Sequence, residues 1–259
     1  VGGLVPTNAE TTWARRYGDC KAMTALLLAI LTEAGIEAVP VVVNSGGADG
    51  FDKRLPLISI FNHILIRATI GGRTYWLDGT RSGDTAIDRI VTPNFTWGVP
   101  LLAGGSPLVR IVPPPLAEPT LTTTIRIDAT AGLTAPAPTT IDTVFAGDTA
   151  IGINLSIASL VGDARTRTLR DYWKKEYDFI EPKTTSATFD PKTGEMRLSM
   201  TGEAKMDWTG NAYEMDGARV GYKADFSRDP GPARDAPFAV GYPYHTRLVE
   251  TILLPPGFE

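Results

Sequence analysis

The sequence predicts an α+β fold in two successive domains. A helix packed on antiparallel strands occupies residues 1–116, and a β-rich domain occupies residues 117–259. Three observations carry this reading. Residues 21–34 have helical spacing of apolar side chains and are followed by a Val-rich run and a Gly71-Gly72 hairpin signal. Residues 99–120 are rich in Pro and Gly. Beyond them the texture changes to short alternating segments, beginning with Leu121-Thr-Thr-Thr-Ile-Arg-Ile.

Each element has a local reason. Ala22, Ala25, Leu26, Ala29 and Ile30 recur at helical spacing, and Ala and Leu are good helix formers. Asp19 is a suitable N-cap and Gly35 a suitable C-terminal stop. Apolar nearly all round, this helix is expected to be buried. Residues 36–43 read as a buried strand, 44–57 as a long loop of the functional kind, and 58–70 and 74–77 as two strands around Gly71-Gly72. Residues 1–17 read as an entry segment. The stretch 99–120, with Gly104-Gly105, Pro107, Pro113-Pro114-Pro115 and Pro119, reads as a linker with few core contacts and a domain break near Leu116. In the second domain, 121–129 reads as a half-buried strand, 140–156 as a strand pair and 163–179 as a helix on Leu169, Trp173 and Tyr177. Residues 186–189 and 196–204 flank the turn Asp190-Pro-Lys-Thr-Gly194, and 249–254 reads as a last strand.

Composition narrows the function. The 259 residues are 43% hydrophobic and 21% charged, ordinary for a globular protein, and the formal net charge is −4. That balance argues against a nucleic-acid partner, which needs a basic face. The longest apolar run, 22–31, is too short to span a bilayer. The opening on Val1-Gly2-Gly3 rather than Met fits a processed chain or an excised segment. One Cys rules out an internal disulfide, and one Cys with two His cannot assemble a Cys/His structural zinc site. No metal or cofactor is expected; Asp49 and Asp52 read as solvated rather than as calcium ligands. P-loop, G-x-G-x-x-G and G-x-S-x-G patterns are missing.

A lone cysteine is commonly a small buried hydrophobe. Context makes Cys20 a candidate nucleophile. It sits at the first turn of the predicted helix, in Arg16-Tyr-Gly-Asp-Cys-Lys21, where free N–H groups and the positive helix end favour a thiolate. Gly18 permits close backbone approach just before it. His63 and Asp78 supply a base and an orienting acid. If Gly71-Gly72 is a two-residue turn, Ile70 faces Arg73 and His63 faces Thr80, so His63 and Asp78 share one face as diagonal neighbours. Ile64, Ile66, Tyr75 and Leu77 then form the other, apolar face. A three-residue turn would break the pairing. Cysteine, histidine and aspartate so disposed follow the logic of an activated thiol. The backbone N–H of Cys20 is the natural first oxyanion donor; the Trp13 indole or the Asn62 side chain could be the second. His245, without a partner pattern, reads as structural.

These residues resemble the transglutaminase-like core, a circular variant of the papain fold. The likeness lies in Gly18-Asp19-Cys20-Lys21, in Gly35-Ile36-Glu37-Ala38, in Asn62-His63 and in Tyr75-Trp76-Leu77-Asp78-Gly79-Thr80. It covers about the first hundred residues well and the second domain loosely. Gly79 departs from it, since many relatives have Pro there; the change should loosen the turn after Asp78 without removing a chemical group. The resemblance implies Cys20, His63 and Asp78 as catalytic residues. It also implies a bacterial, exported or periplasmic multidomain protein and a peptide or protein substrate. The expected activity is that of a peptidase or amidase working through a thioester. Whether water or an amine resolves that thioester stays open, and the competing reading is a binding or scaffold protein whose core is idle.

Overall fold

An aspartate before a run of helix formers and a glycine after it bound the central helix, α2 (Cys20–Glu33), as expected. The Asp19 side chain accepts the Ala22 N–H at 3.0 Å. At the other end Gly35, at φ +69°, closes a Schellman turn: its N–H donates to the Thr32 carbonyl and the Ile36 N–H donates to the Leu31 carbonyl. The computed structural model describes residues 5–206, 208–209, 212–213, 226–232, 234–238 and 241–257; the Val1-Gly2-Gly3 opening lies outside them. The chain divides into two compact units, Val1–Pro115 and Leu116–Glu259. With helices and two five-stranded sheets, it belongs to the α+β class.

The first unit holds α1 (Ala9–Arg15), α2, and strands β1 (Glu37–Val43), β2 (His63–Ile70), β3 (Arg73–Leu77), β4 (Thr96–Pro100) and β5 (Val109–Ile111). Their order in the sheet is β3-β2-β1-β4-β5, with every neighbour antiparallel. Gly71 and Gly72 both have positive φ, as a two-residue primed turn requires, and Ile70 pairs with Arg73 while Ile66 pairs with Leu77. One face of the sheet buries Ile66, Ala68 and Leu77 with Leu31 of α2; the other buries Val41, Val43, Leu65 and Ile111.

Several expectations for this unit need correction. Residues 9–15 are helical rather than an entry segment: the Asn8 side chain accepts the Thr11 N–H at 2.8 Å, and the helix packs on α2. Threonine-rich sequence hides it, because its order comes from the cap and the packing rather than from propensity. Residues 58–62 are not strand; Ile58–Ile60 form a 3₁₀ turn before β2 begins. Nor is 99–120 a bare linker. Paired strand lies between its prolines, Ile111 is fully buried, and a Cβ on Gly98 would come within 2.8 Å of Ile111 Cδ1. The helix α2 is also less enclosed than its apolar sequence suggests, with Ile30 48% exposed.

Among its described residues the second unit is β-rich with two helices: β6 (Leu121–Asp128), β7 (Ala137–Phe145), α3 (Gly147–Ala158), α4 (Asp163–Glu176), β8 (Ile180–Asp190), β9 (Glu195–Ala204) and β12 (Thr246–Leu253). A small separate pair, β10 (Trp208–Thr209) and β11 (Ala212–Tyr213), lies between β9 and β12 in the chain. The main sheet runs β12-β6-β7-β9-β8; β12 lies parallel to β6 and the other pairs are antiparallel. The expected last strand therefore pairs within this unit. The expected strand pair over 140–156 is a strand followed by helix α3, whose β-branched Ile151, Ile153 and Ile157 mimic strand composition. Both helices pack on the sheet, and Trp173 of α4 is fully buried in the core with Ile127, Ile141, Met196 and Met200. Trp173→Ala should lower the stability of this unit by about 3–5 kcal/mol, measured by equilibrium urea unfolding.

Candidate active site

The short path from α1 to α2 places Cys20. Arg16 turns out of α1 in the left-handed region at φ +62°, and Gly18 follows. A Cβ on Gly18 would sit 2.7 Å from Ala22 Cβ and 3.2 Å from Thr12 Cγ2, so only glycine lets this turn press against both helices. Cys20 is the first residue of α2, partly buried. Beside it Lys21 Nζ contacts Asp19 at 2.9 Å. That ammonium and the Ala22 N–H hold the Asp19 carboxyl below its ordinary range.

His63 opens β2, and Asp78 follows the last residue of β3. Across the register set by Gly71-Gly72, His63 Nε2 lies 2.7 Å from Asp78 Oδ2. The other carboxylate oxygen accepts the Thr80 hydroxyl at 2.6 Å and the Thr80 N–H at 2.9 Å. Burial alone would raise the Asp78 pKa. The His63 hydrogen bond and the two from Thr80 outweigh it and bring the carboxyl down to about 2. An ionised carboxylate can only accept, so Nε2 of His63 donates and Nδ1 of the neutral ring keeps its lone pair.

Two contacts join this hairpin to the helix. Thr24, one turn beyond Cys20, donates its hydroxyl to the Ile64 carbonyl at 3.2 Å and is buried. Gly79 packs onto the backbone of Met23, where a Cβ would meet the carbonyl oxygen at 2.9 Å. Gly79 thus fits a close approach between the post-β3 turn and α2, rather than merely loosening that turn.

Cys20 and His63 open onto one cavity of about 850 Å³. Asn62, His63 and Ile64 all line it, so it wraps the end of β2 and meets both faces of the strand there. Among the described residues no hydrogen bond joins Cys20 to His63; the contact is shared lining of the cavity. Catalytic hydrogen bonds often tighten only once substrate is present.

The remaining candidates part company. Asn62 lines the cavity, its Oδ1 accepting the Ser45 N–H at 2.8 Å. Trp13 does not line it: the ring is 53% exposed and the Arg16 guanidinium lies over it, 4.0 Å from the centroid. His245 belongs to the second unit, where Nδ1 lies 3.3 Å from the Leu116 carbonyl. Asp49 and Asp52 are exposed, Asp49 accepting the Thr96 hydroxyl. No cluster of three or more His, Cys, Asp or Glu side chains among the described residues is placed to hold a metal. Sequence reasoning did not assign roles to Thr80 or Thr24. The Asp-x-Thr spacing of an Asx turn could have revealed Thr80, whereas no local signal reveals Thr24.

No family model and no curated protein matches the chain. Among solved structures, a "putative protease" from Parabacteroides distasonis aligns with 76% of this chain at 13% identity and a TM-score of 0.32. The alignment spans 40% of that protein's length.

Asp78 gives the site a pH signature. Its pKa is depressed from 3.8, so the stability it confers is complete above about pH 4 and is lost as pH falls toward about 2. With the side chain only 17% exposed, this contribution should be about 2 kcal/mol. Urea unfolding at pH 6 and pH 2 should show that loss in the native protein and its absence in Asp78→Asn. Thr80→Val, which removes one donor, should raise the Asp78 pKa and shift the loss to higher pH.

Proposed function

We propose that the first unit is a cysteine-dependent acyl-transfer centre of the transglutaminase-like kind, acting as a peptidase or amidase. The observation that carries the reading is the His63–Asp78 hydrogen bond beside a cavity that both His63 and Cys20 line. In this reading Cys20 Sγ bonds to the carbonyl carbon of an amide as Nδ1 of His63 takes the thiol proton. The C–N bond then breaks, the proton passes to the departing amine, and a thioester remains. Water, deprotonated by the same nitrogen, adds to the thioester; the carboxylic acid leaves and the thiol is restored. Asp78 keeps the ring oriented and balances its transient positive charge. The helix-start N–H of Cys20 suits the developing oxyanion, and Asn62 is the second donor that this reading favours, since it borders the cavity and Trp13 does not. Hydrolysis is preferred to amine transfer because water needs no acceptor groove. Export to the periplasm, a peptide or protein substrate and membership of the transglutaminase-like group belong to the same proposal, resting on the motifs around Cys20, His63 and Asp78.

A second reading has its own observation. The lack of a Cys20–His63 hydrogen bond suits a binding protein whose core is idle. The two readings separate in one experiment. In an active centre, iodoacetamide should alkylate Cys20 faster in the native protein than in His63→Ala by about tenfold or more, with Asp78→Ala intermediate. Cys20→Ala should abolish turnover of amide substrates. Equal alkylation rates in the native protein and His63→Ala would favour the idle core.

A further inference from the structure

The cavity beside Cys20 runs along α2. Cys20, Thr24 and Leu28 follow at i, i+4 and i+8, and Lys21 and Ala25 flank them, so the lining stripe descends two turns from the thiol. At 1.5 Å per residue that is about 12 Å. Opposite lie Val42, Ile64 and Val99 from the sheet, with Leu101 and Leu108 from the segments around β4 and β5. The volume falls in the range of small-molecule pockets, with room for a bulky side chain and part of the chain beside it.

Apart from the thiol, Nδ1 of His63 and the Asn62 amide, which the proposed chemistry uses, the polar groups on its wall are already committed. The Thr24 hydroxyl is bonded to the Ile64 carbonyl, and the Ser106 hydroxyl to the Pro100 carbonyl at 2.8 Å. Lys21 is paired with Asp19, and His63 Nε2 with Asp78. A charged or strongly polar side chain entering here would lose water and gain little in return. A large apolar one would lose only unfavourable contact with water.

We propose that this cavity is the specificity pocket of the site and takes a bulky aliphatic or aromatic side chain from the acyl side of the substrate. The inference rests on the reading of Cys20 as nucleophile. Ala25 is the specificity-determining residue: its small side chain leaves open the space one turn below Lys21, between helix and sheet. A larger residue there would narrow the pocket beside the helix while leaving Cys20 and His63 in place.

The test uses peptidyl acyloxymethyl ketones differing only in the side chain next to the reactive ketone: Phe, Leu, Asp or Lys. Each alkylates the thiolate, an S–C bond forming as the carboxylate leaves, and labelling is followed by intact mass. The Phe and Leu probes should label Cys20 at least about tenfold faster than the Asp and Lys probes. In Ala25→Trp, with folding checked by circular dichroism, the ratio of Phe to Asp labelling should fall toward one. Equal rates for all four probes on the native protein would overturn the pocket assignment, as would an unchanged ratio in folded Ala25→Trp. Failure of the underlying reading shows separately, as alkylation by iodoacetamide that does not depend on His63.

Discussion

Everything at the site follows from the register of one hairpin. Two glycines in left-handed conformations make the shortest turn that matches strand twist, and that turn sets Ile70 opposite Arg73. Counting outward, the first residue of β2 and the residue just after β3 come within hydrogen-bond distance. A slip of one residue would turn either His63 or Asp78 to the wrong face and take Ile66 or Leu77 with it out of the core. The apolar face therefore protects the polar pair: Ile66 and Leu77 are directly paired and buried under α2, and that burial opposes any slip.

The second constraint is how closely the hairpin meets the helix. Gly79 against the Met23 backbone and the Thr24–Ile64 hydrogen bond hold the start of α2 beside the start of β2. Gly18 does the same on the other side, letting α1 and the cysteine turn close on Ala22. The thiol thus stands at the start of a helix, where the positive end favours an anion. Below it the helix stripe lines an apolar cavity, so in the proposed reading nucleophile and recognition surface share one element.

Much of this was legible in local sequence, because short-range rules govern it. Asp19 and Gly35 announce the ends of α2 through capping chemistry. Gly71-Gly72 announces the turn, and from the turn alone the His63–Asp78 pairing can be counted. What stayed hidden depends on partners far along the chain. Residues 99–120 look like a proline-rich linker, yet β4 and β5, which overlap them, extend the first sheet because β1 offers an edge and Gly98 leaves room for Ile111. In α3 the isoleucines suggest a strand, but Ala150 and Ile157 are buried in a core that the neighbouring sheet creates. Trp13 looked like a candidate donor from chain proximity to Cys20. Helix α1 places its ring instead at the surface beneath Arg16. The cavity was illegible altogether, since its walls come from α2, three strands, two loops and the segment before α1.

The proposed chemistry turns on which ring nitrogen of His63 is free to face the thiol. The chain has two histidines, so ¹⁵N-histidine labelling with a His245→Gln variant assigns the His63 ring without ambiguity. Long-range ¹H–¹⁵N correlation spectra of the neutral ring should show the proton on Nε2, held by Asp78, and Nδ1 bare; in Asp78→Ala that preference should weaken. A proton on Nδ1 in the native protein would contradict the account, because the nitrogen left to act as base would then be the one turned toward the carboxylate.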